Sequence, residues 1–286
     1  MKEKITPFIK TLAGKAAIER QYYVSASEVT GNLYSDPLME DKHEVTKGLV
    51  HKYKNRALIK VSYMCAAHCR FCTRIRQIGN PAGTLTETDI ANIIQYLNQH
   101  PEIDDVILSG GDPFYTPKVT YNLLSKLRTI NSVKTIRIGT RLPFQSPVSF
   151  QSKTILNLLE LIDAVGQTKP FFILVHIEHP DELTEETEAV IRLLRKQKVT
   201  LLSQTVFLKN INDEYDTLYL LFKSLYQLGV IPYYLYHCDN VKGLEHFRGN
   251  LEKEKEIATR LRATLSGIGC PLFVEDLEDG YGKIPL

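Results

Sequence analysis

Nowhere in this 286-residue sequence does an apolar run approach the length that crosses a bilayer, about 20 residues. The opening stretch, MKEKITPFIKTLAGKAAIERQ, alternates charged and apolar side chains and lacks the apolar core and small-residue cleavage site of a secretory signal. Together these absences predict no membrane association and a cytoplasmic location. A strong charge bias is missing too: 35 Lys and Arg face 33 Asp and Glu, a formal net charge of +2, and the basic residues are dispersed among acidic ones. Such a surface does not attract a polyanion, so nucleic acid is excluded as a partner and small-molecule chemistry is favoured. Cysteine is scarce and odd in number. Of five, three lie within the eight residues Cys65–Cys72, which is poor material for a disulfide framework and good material for a metal site in a reducing compartment.

What is present is the composition of an ordinary soluble protein, 43% hydrophobic and 24% charged, in a chain long enough to bury one large core. Residues 1–50 read as a leader that packs on a main domain, with a helix over Thr11–Glu28 and a polar stretch from Tyr34 to Gly48. Residues 51–286 then alternate short β-rich runs with segments of helical periodicity. Candidate strands are Ala57–Ser62, Asp105–Leu108, Thr135–Ile138, Phe171–His176, Thr200–Val206 and Ile231–Tyr236. Candidate helices are Glu87–Gln99, Val119–Ile130, Lys153–Val165, Glu182–Lys198, Glu214–Leu228 and Leu251–Leu265. No glycine-rich dinucleotide turn follows the first strand, so six βα units predict an α/β fold of partial (βα)6 TIM-like barrel type. Its chemistry should sit at the carboxyl ends of the strands.

The first strand runs into Cys65-Ala-Ala-His-Cys69-Arg-Phe-Cys72. Three soft thiolates in one loop suit zinc or an iron–sulfur cluster. A zinc knuckle would need a fourth ligand; His68 is a candidate, but no second cysteine or histidine pair of suitable spacing occurs elsewhere. The spacing, the aromatic residue before the last cysteine and the position after the first strand resemble the signature of radical S-adenosylmethionine (SAM) enzymes. That resemblance implies that Cys65, Cys69 and Cys72 hold three irons of a [4Fe–4S] cluster and leave the fourth iron to SAM. At the end of the second strand, Ser109-Gly110-Gly111-Asp112 could be a tight βα turn, and two glycines would let a ligand approach the backbone. It resembles the family segment that contacts the methionine amino group of SAM.

From about Asp36 onward the sequence resembles the lysine 2,3-aminomutase family. The matching stretches are Leu49–Ala57, Cys72-Thr-Arg-Ile-Arg76, Arg137-Ile-Gly-Thr-Arg141-Leu-Pro143, Tyr233–Phe247 and the tail Gly280-Tyr-Gly-Lys-Ile-Pro-Leu286. Ser35–Arg56 also resembles the branch whose β-lysine is attached to elongation factor P. The family adds pyridoxal phosphate (PLP), which needs a lysine able to form an imine. The resemblance assigns that role to Lys283, the cofactor phosphate to Lys52 and Arg56 with Tyr53 beside them, and SAM contacts to His176 and Gln204. Lys52 stands where the aminomutase pattern has arginine.

The resemblance also assigns the substrate carboxylate to Arg74, whose planar fork suits it, and the substrate side-chain ammonium to Asp239 and Asp276. Two carboxylates point to a basic amino acid. The implied activity is a PLP-dependent radical interconversion of L-lysine and β-lysine, with another basic amino acid as the alternative substrate and flavodoxin or ferredoxin as reductant. Free-lysine enzymes of the family carry a zinc-binding carboxyl-terminal extension between subunits. This chain stops at Leu286, which predicts no structural zinc and leaves a homo-oligomer open.

Overall fold

The alternation in the sequence builds one ten-stranded sheet in which spatial order follows chain order. This computed structural model describes residues 1–28, 36–277 and 282–286. Tyr34 and Ser35, and Gly280 and Tyr281 of the tail motif, lie outside the described residues. Two short helices come first, α1 (Pro7–Thr11) and α2 (Ala16–Tyr22). The expected single helix over Thr11–Glu28 is thus corrected: Gly14 takes φ +92°, a left-handed turn that ends one helix before the next begins.

Strands β1 (Glu44–Thr46) and β2 (Leu49–Tyr53) pair antiparallel and lead into β3 (Arg56–Ser62). The repeating part continues through α3 (Glu87–Gln99), β4 (Asp105–Gly110), α4 (Pro117–Leu127), β5 (Thr135–Thr140), the short α5 (Leu142–Gln145) and α6 (Lys153–Gly166). It goes on through β6 (Phe171–His176), α7 (Glu185–Leu194), β7 (Thr200–Val206), α8 (Tyr215–Gln227), β8 (Ile231–Tyr236) and α9 (Leu251–Thr264). Local signals set these helix starts. Thr86 caps α3 in a reciprocal box with Asp89, and Ser152, Thr184 and Asn250 cap α6, α7 and α9.

Strands β3 to β8 are the six expected, but a seventh parallel strand, β9 (Leu272–Leu277), follows α9 and pairs with β8. Its apolar run, Leu272–Val274, stops at Glu275 and Asp276, too short to read as a strand. The last element, β10 (Gly282–Pro285), folds back antiparallel on β9.

Along each central strand alternate residues enter the helix-side core, such as Val106 and Leu108, Ile136 and Ile138, Ile173 and Val175. The intervening ones, including Ser109, Arg137, His176, Gln204 and Tyr236, face the other side. No ladder joins β1 to β10, so the barrel is open. The sheet nevertheless curls until Lys52 Nζ of β2 donates to the Leu277 carbonyl of β9 at 3.3 Å. Among the described residues no helix is long and apolar enough to cross a membrane.

Candidate active site

The cysteine loop leaves the carboxyl end of β3 and is braced by backbone on two sides. Gly111 N donates to Ser62 O at 2.5 Å and Asp112 N to Met64 O at 2.9 Å. The amino-terminal segment supplies the other side: Lys4 Nζ donates to Cys65 O at 2.6 Å, His68 N to Lys4 O at 2.9 Å and Arg70 N to Gln21 O at 2.8 Å. His68 Nδ1 sits 2.7 Å from Lys2 O. Gln145, 1% exposed, bridges the loop by accepting from Ala67 N and donating to Cys69 Sγ at 3.2 Å. Burial pushes the Cys69 thiol up to about 12, with the Arg141 charge opposing it. Cys65 and Cys72 are also raised, first by burial. Uncoordinated, all three are thiols at neutral pH, so metal binding must release protons.

Among the described residues no three Cys, His, Asp or Glu side chains form a group able to hold one metal ion. An iron–sulfur cluster is larger than an ion and spreads its thiolates over separate irons. Three thiols that act on one another electrostatically, with an amide N–H on one sulfur, are a donor set that fits such a cluster.

The glycine pair explains itself sterically. A Cβ on Gly110 would lie 2.6 Å from Ser62 O, and one on Gly111 would collide with the Met64 backbone, 2.6 Å from its nitrogen. Only glycine lets β4 come this close to the strand that feeds the cysteines. Asp112 is 4% exposed and spends its carboxylate within the protein, accepting from Phe114 N, Thr140 Oγ1, Arg141 N and Leu142 N at 2.7–3.0 Å. Its side chain holds the start of α5, the helix that ends in Gln145.

Beneath the loop lies a charge network that sequence reasoning did not assign. Arg141 donates through Nε to Tyr22 OH at 3.0 Å and through Nη2 to Gln21 and to Glu182 at 2.6 Å, and its guanidinium lies 5.0 Å from the Phe71 ring centre. Glu178, fully buried, sits 3.5 Å from Arg141 Nη1 and 2.5 Å from His176 Nε2. The His176 contact has ion-pair distance without hydrogen-bond alignment, and all three atoms lack a hydrogen-bond partner among the described residues. Arg141 lies in the Arg137–Pro143 stretch and Glu178 two residues past the Phe171–His176 strand, but nothing local in sequence signals their pairing.

From His176 the polar side chains form a line across neighbouring strands. The His176 ring meets Phe71 edge-on at 5.9 Å, and His176 is the register partner of Gln204. Gln204 Nε2 donates to Tyr236 OH at 3.0 Å, and the Tyr236 ring centre lies 5.7 Å from Lys283 Nζ. Lys283 in turn pairs with Asp276, its register partner, at 2.9 Å. Asp239 completes this end: burial, then the Asp276 charge, raises its pKa to about 7, against the opposing pull of Lys283. The structure therefore brings Gln204, Asp239, Asp276 and Lys283 together with Tyr234 and Tyr236, two tyrosines sequence reasoning left unassigned.

Beside Lys283, Arg56 stacks on Tyr53 with 4.0 Å between guanidinium and ring centre, and a Cβ on Gly282 would lie 3.4 Å from Arg56 Nη2. Among the described residues Lys52 Nζ bonds only carbonyls, Leu38 O at 3.2 Å and Leu277 O at 3.3 Å. Among the described residues no carboxylate pairs with Lys52 or Arg56. Two such cations next to an amine fit a phosphate-bearing aldehyde cofactor. Arg74 stands apart from this group, paired with Glu40. Ser109 lines β4 opposite Lys60 of β3.

The family model for the radical SAM superfamily matches residues 59–221. The chain is 37% identical over 252 residues to the L-lysine 2,3-aminomutase of Fusobacterium nucleatum, covering 88% of this chain and 58% of that one. It is 34% identical over 271 residues to the L-lysine 2,3-aminomutase of Escherichia coli (strain K12), covering 93% and 77%. Against several longer relatives the chain spans 58–63% of their length. A radical SAM methyltransferase from Sphaerobacter thermophilus shares the fold at a TM-score of 0.54 and 16% identity, over 80% of this chain and 68% of that one.

Proposed function

This chain belongs to the radical SAM superfamily and, within it, to the lysine 2,3-aminomutase family, and from that premise we propose that it is an isomerase interconverting L-lysine and β-lysine. The observation that carries this reading is the Lys283–Asp276 pair beside Asp239, linked through Tyr236, Gln204 and His176 to the cysteine loop. When bound, the [4Fe–4S] cluster with SAM supplies a carbon radical able to take a hydrogen atom from the substrate, and PLP supplies a carbonyl for the migrating amine.

The chain's own residues bind and orient. Cys65, Cys69 and Cys72 hold the cluster, and the Ser109–Asp112 turn, His176 and Gln204 line the SAM side. Asp112 acts there through the backbone it fixes, because its carboxylate is already committed. Lys52, Tyr53 and Arg56 receive the phosphate, and Lys283 carries the cofactor. Asp276 holds the Lys283 ammonium while that amine is free. With the cofactor on Lys283, Asp276 and Asp239 would be open to the ammonium of an incoming substrate, while Arg74 would take its carboxylate. A side-chain carboxylate would be repelled at the same place, which disfavours acidic amino acids. Flavodoxin or ferredoxin as reductant, a cytoplasmic location and a homo-oligomeric state belong to the same proposal.

Anaerobically reconstituted protein incubated with lysine, SAM and reductant should form β-lysine, detected by mass spectrometry. Lysine recovered unchanged while ornithine or arginine rearranges would move the substrate assignment. No deoxyadenosine under reduction, with zinc bound in place of iron, would overturn the enzymatic reading.

A further inference from the structure

Arg74 is held from one side only. A guanidinium offers five N–H donors on two bidentate edges. Glu40 takes the inner edge, accepting from Nε at 2.9 Å and from Nη2. No other described side chain bonds Arg74, so its outer edge, Nη1 with the second Nη2 hydrogen, is uncommitted. The backbone under Arg74 is fixed by Gln77 N and Ile78 N donating to its carbonyl at 2.9 and 3.1 Å.

Glu40 is itself set with care. It is 5% exposed although its neighbour Asp41 has a side chain 59% exposed. It follows Met39, which takes φ +52°, a left-handed conformation that costs a residue with a Cβ on the order of 1 kcal/mol and persists where surroundings enforce it. A parallel stitch secures the same segment: Arg76 pairs with Asp36 at 3.3 Å and Asp41 at 2.8 Å. Burial acts to raise the Glu40 pKa, but Arg74, Lys60 and Arg76 outweigh it and hold the carboxyl below its usual range. Lys60, fully buried, is paired with Glu44, so it steadies Glu40 without being drawn away from its own partner.

We propose that Glu40 is the positioning residue for substrate recognition, clamping the inner edge of Arg74 so that the outer edge is presented to the substrate α-carboxylate. This rests on the reading of Arg74 as the carboxylate partner, and it assigns discrimination between a free amino acid and its amide to a pair of residues. Orientation, and not charge balance alone, is what Glu40 contributes.

Two variants separate those contributions. Glu40→Asp keeps the charge but withdraws the carboxylate by one methylene; Glu40→Gln keeps the size but replaces one acceptor with a donor facing an N–H. Binding of L-lysine and L-lysinamide would be measured calorimetrically on anaerobically reconstituted holoenzyme without reductant, with iron content and thermal midpoint as checks on folding. The wild type should prefer lysine to the amide, and both variants should lose about tenfold in lysine affinity with the amide unchanged. Combining Glu40→Asp with Arg74→Gln should cost no more than Arg74→Gln alone, as expected of coupled residues. Unchanged lysine affinity in Glu40→Asp with tighter binding in Glu40→Gln would overturn the inference and make Glu40 a mere counter-charge. A wild type that binds both ligands equally would overturn the reading of Arg74 itself, and the positioning role with it.

Discussion

The two ends of the polar line are built by different physics. At the cysteine end, position is fixed by backbone: two glycines admit a close strand approach, and main-chain hydrogen bonds from β4 and from the amino-terminal segment hold the loop. At the lysine end, position depends on side-chain charge, with Lys283 on the antiparallel edge strand β10, Asp276 opposite it on β9 and Asp239 just past β8 balancing one another. A cluster held on the three cysteines, as proposed, would call for the first kind of support. An amine that changes partners, as proposed for Lys283, would call for the second.

This contrast can be broken most forcefully at Arg141. Replacing it by methionine strands Glu182 and Glu178, 1% and 0% exposed, without their cation. Unfolding in urea should show a loss of about 3–5 kcal/mol, the usual cost of an uncompensated buried charge, and a loss below 1 kcal/mol would mean the loop does not rest on this network. Gly111→Ala tests the backbone support directly. Its methyl would have to displace Met64, costing about 1–3 kcal/mol as an overpacked site does and lowering the iron taken up on reconstitution; full iron content would contradict the steric account.

The lysine end should behave in the opposite way. Lys283→Arg preserves the charge opposite Asp276, a pair in which the lysine side chain is 29% exposed. Stability should therefore move by less than about 1 kcal/mol, while covalent capture of PLP disappears. The smallest effect concerns protons. Because burial and Asp276 raise Asp239 to about 7, this group is mostly protonated at pH 6, and a bound ammonium pulls its pKa down. Lysine binding at pH 6 should release a fraction of a proton, and none above pH 8, as read from calorimetry in buffers of different ionisation enthalpy. The sign for folding is also set: a raised acid pKa stabilises the fold at low pH, and that contribution fades as pH rises from the ordinary carboxylate range through 7. Asp239→Asn should consequently raise the thermal midpoint above pH 7 and lose that advantage below pH 4.

How much of this was legible in sequence divides along the same line. The cysteine loop and the six strands around it were readable because their signals are local: spacing, alternation and helix caps. Strand β9 was hidden because its second half, Glu275–Leu277, carries charge into the concave side of the sheet, and β10 because four residues with glycine and proline form no pattern. The Arg141–Glu178–Glu182 network and the Glu40 clamp were invisible for a different reason. Their partners are 34–41 positions apart, and only the pairing of neighbouring strands, such as Thr140 of β5 with Val175 of β6, brings them together. Family resemblance named Lys283, Asp239 and Asp276; the structure adds that they meet, and that Tyr234 and Tyr236 stand over them.

The central claim is that Lys283 carries PLP within reach of the cysteine loop. Borohydride reduction of the PLP-loaded protein followed by peptide mapping tests it most directly. Phosphopyridoxyl label on Lys283, abolished in Lys283→Arg, is the expected result. Label on another lysine, or PLP that remains unattached with Lys283 intact, would contradict the account.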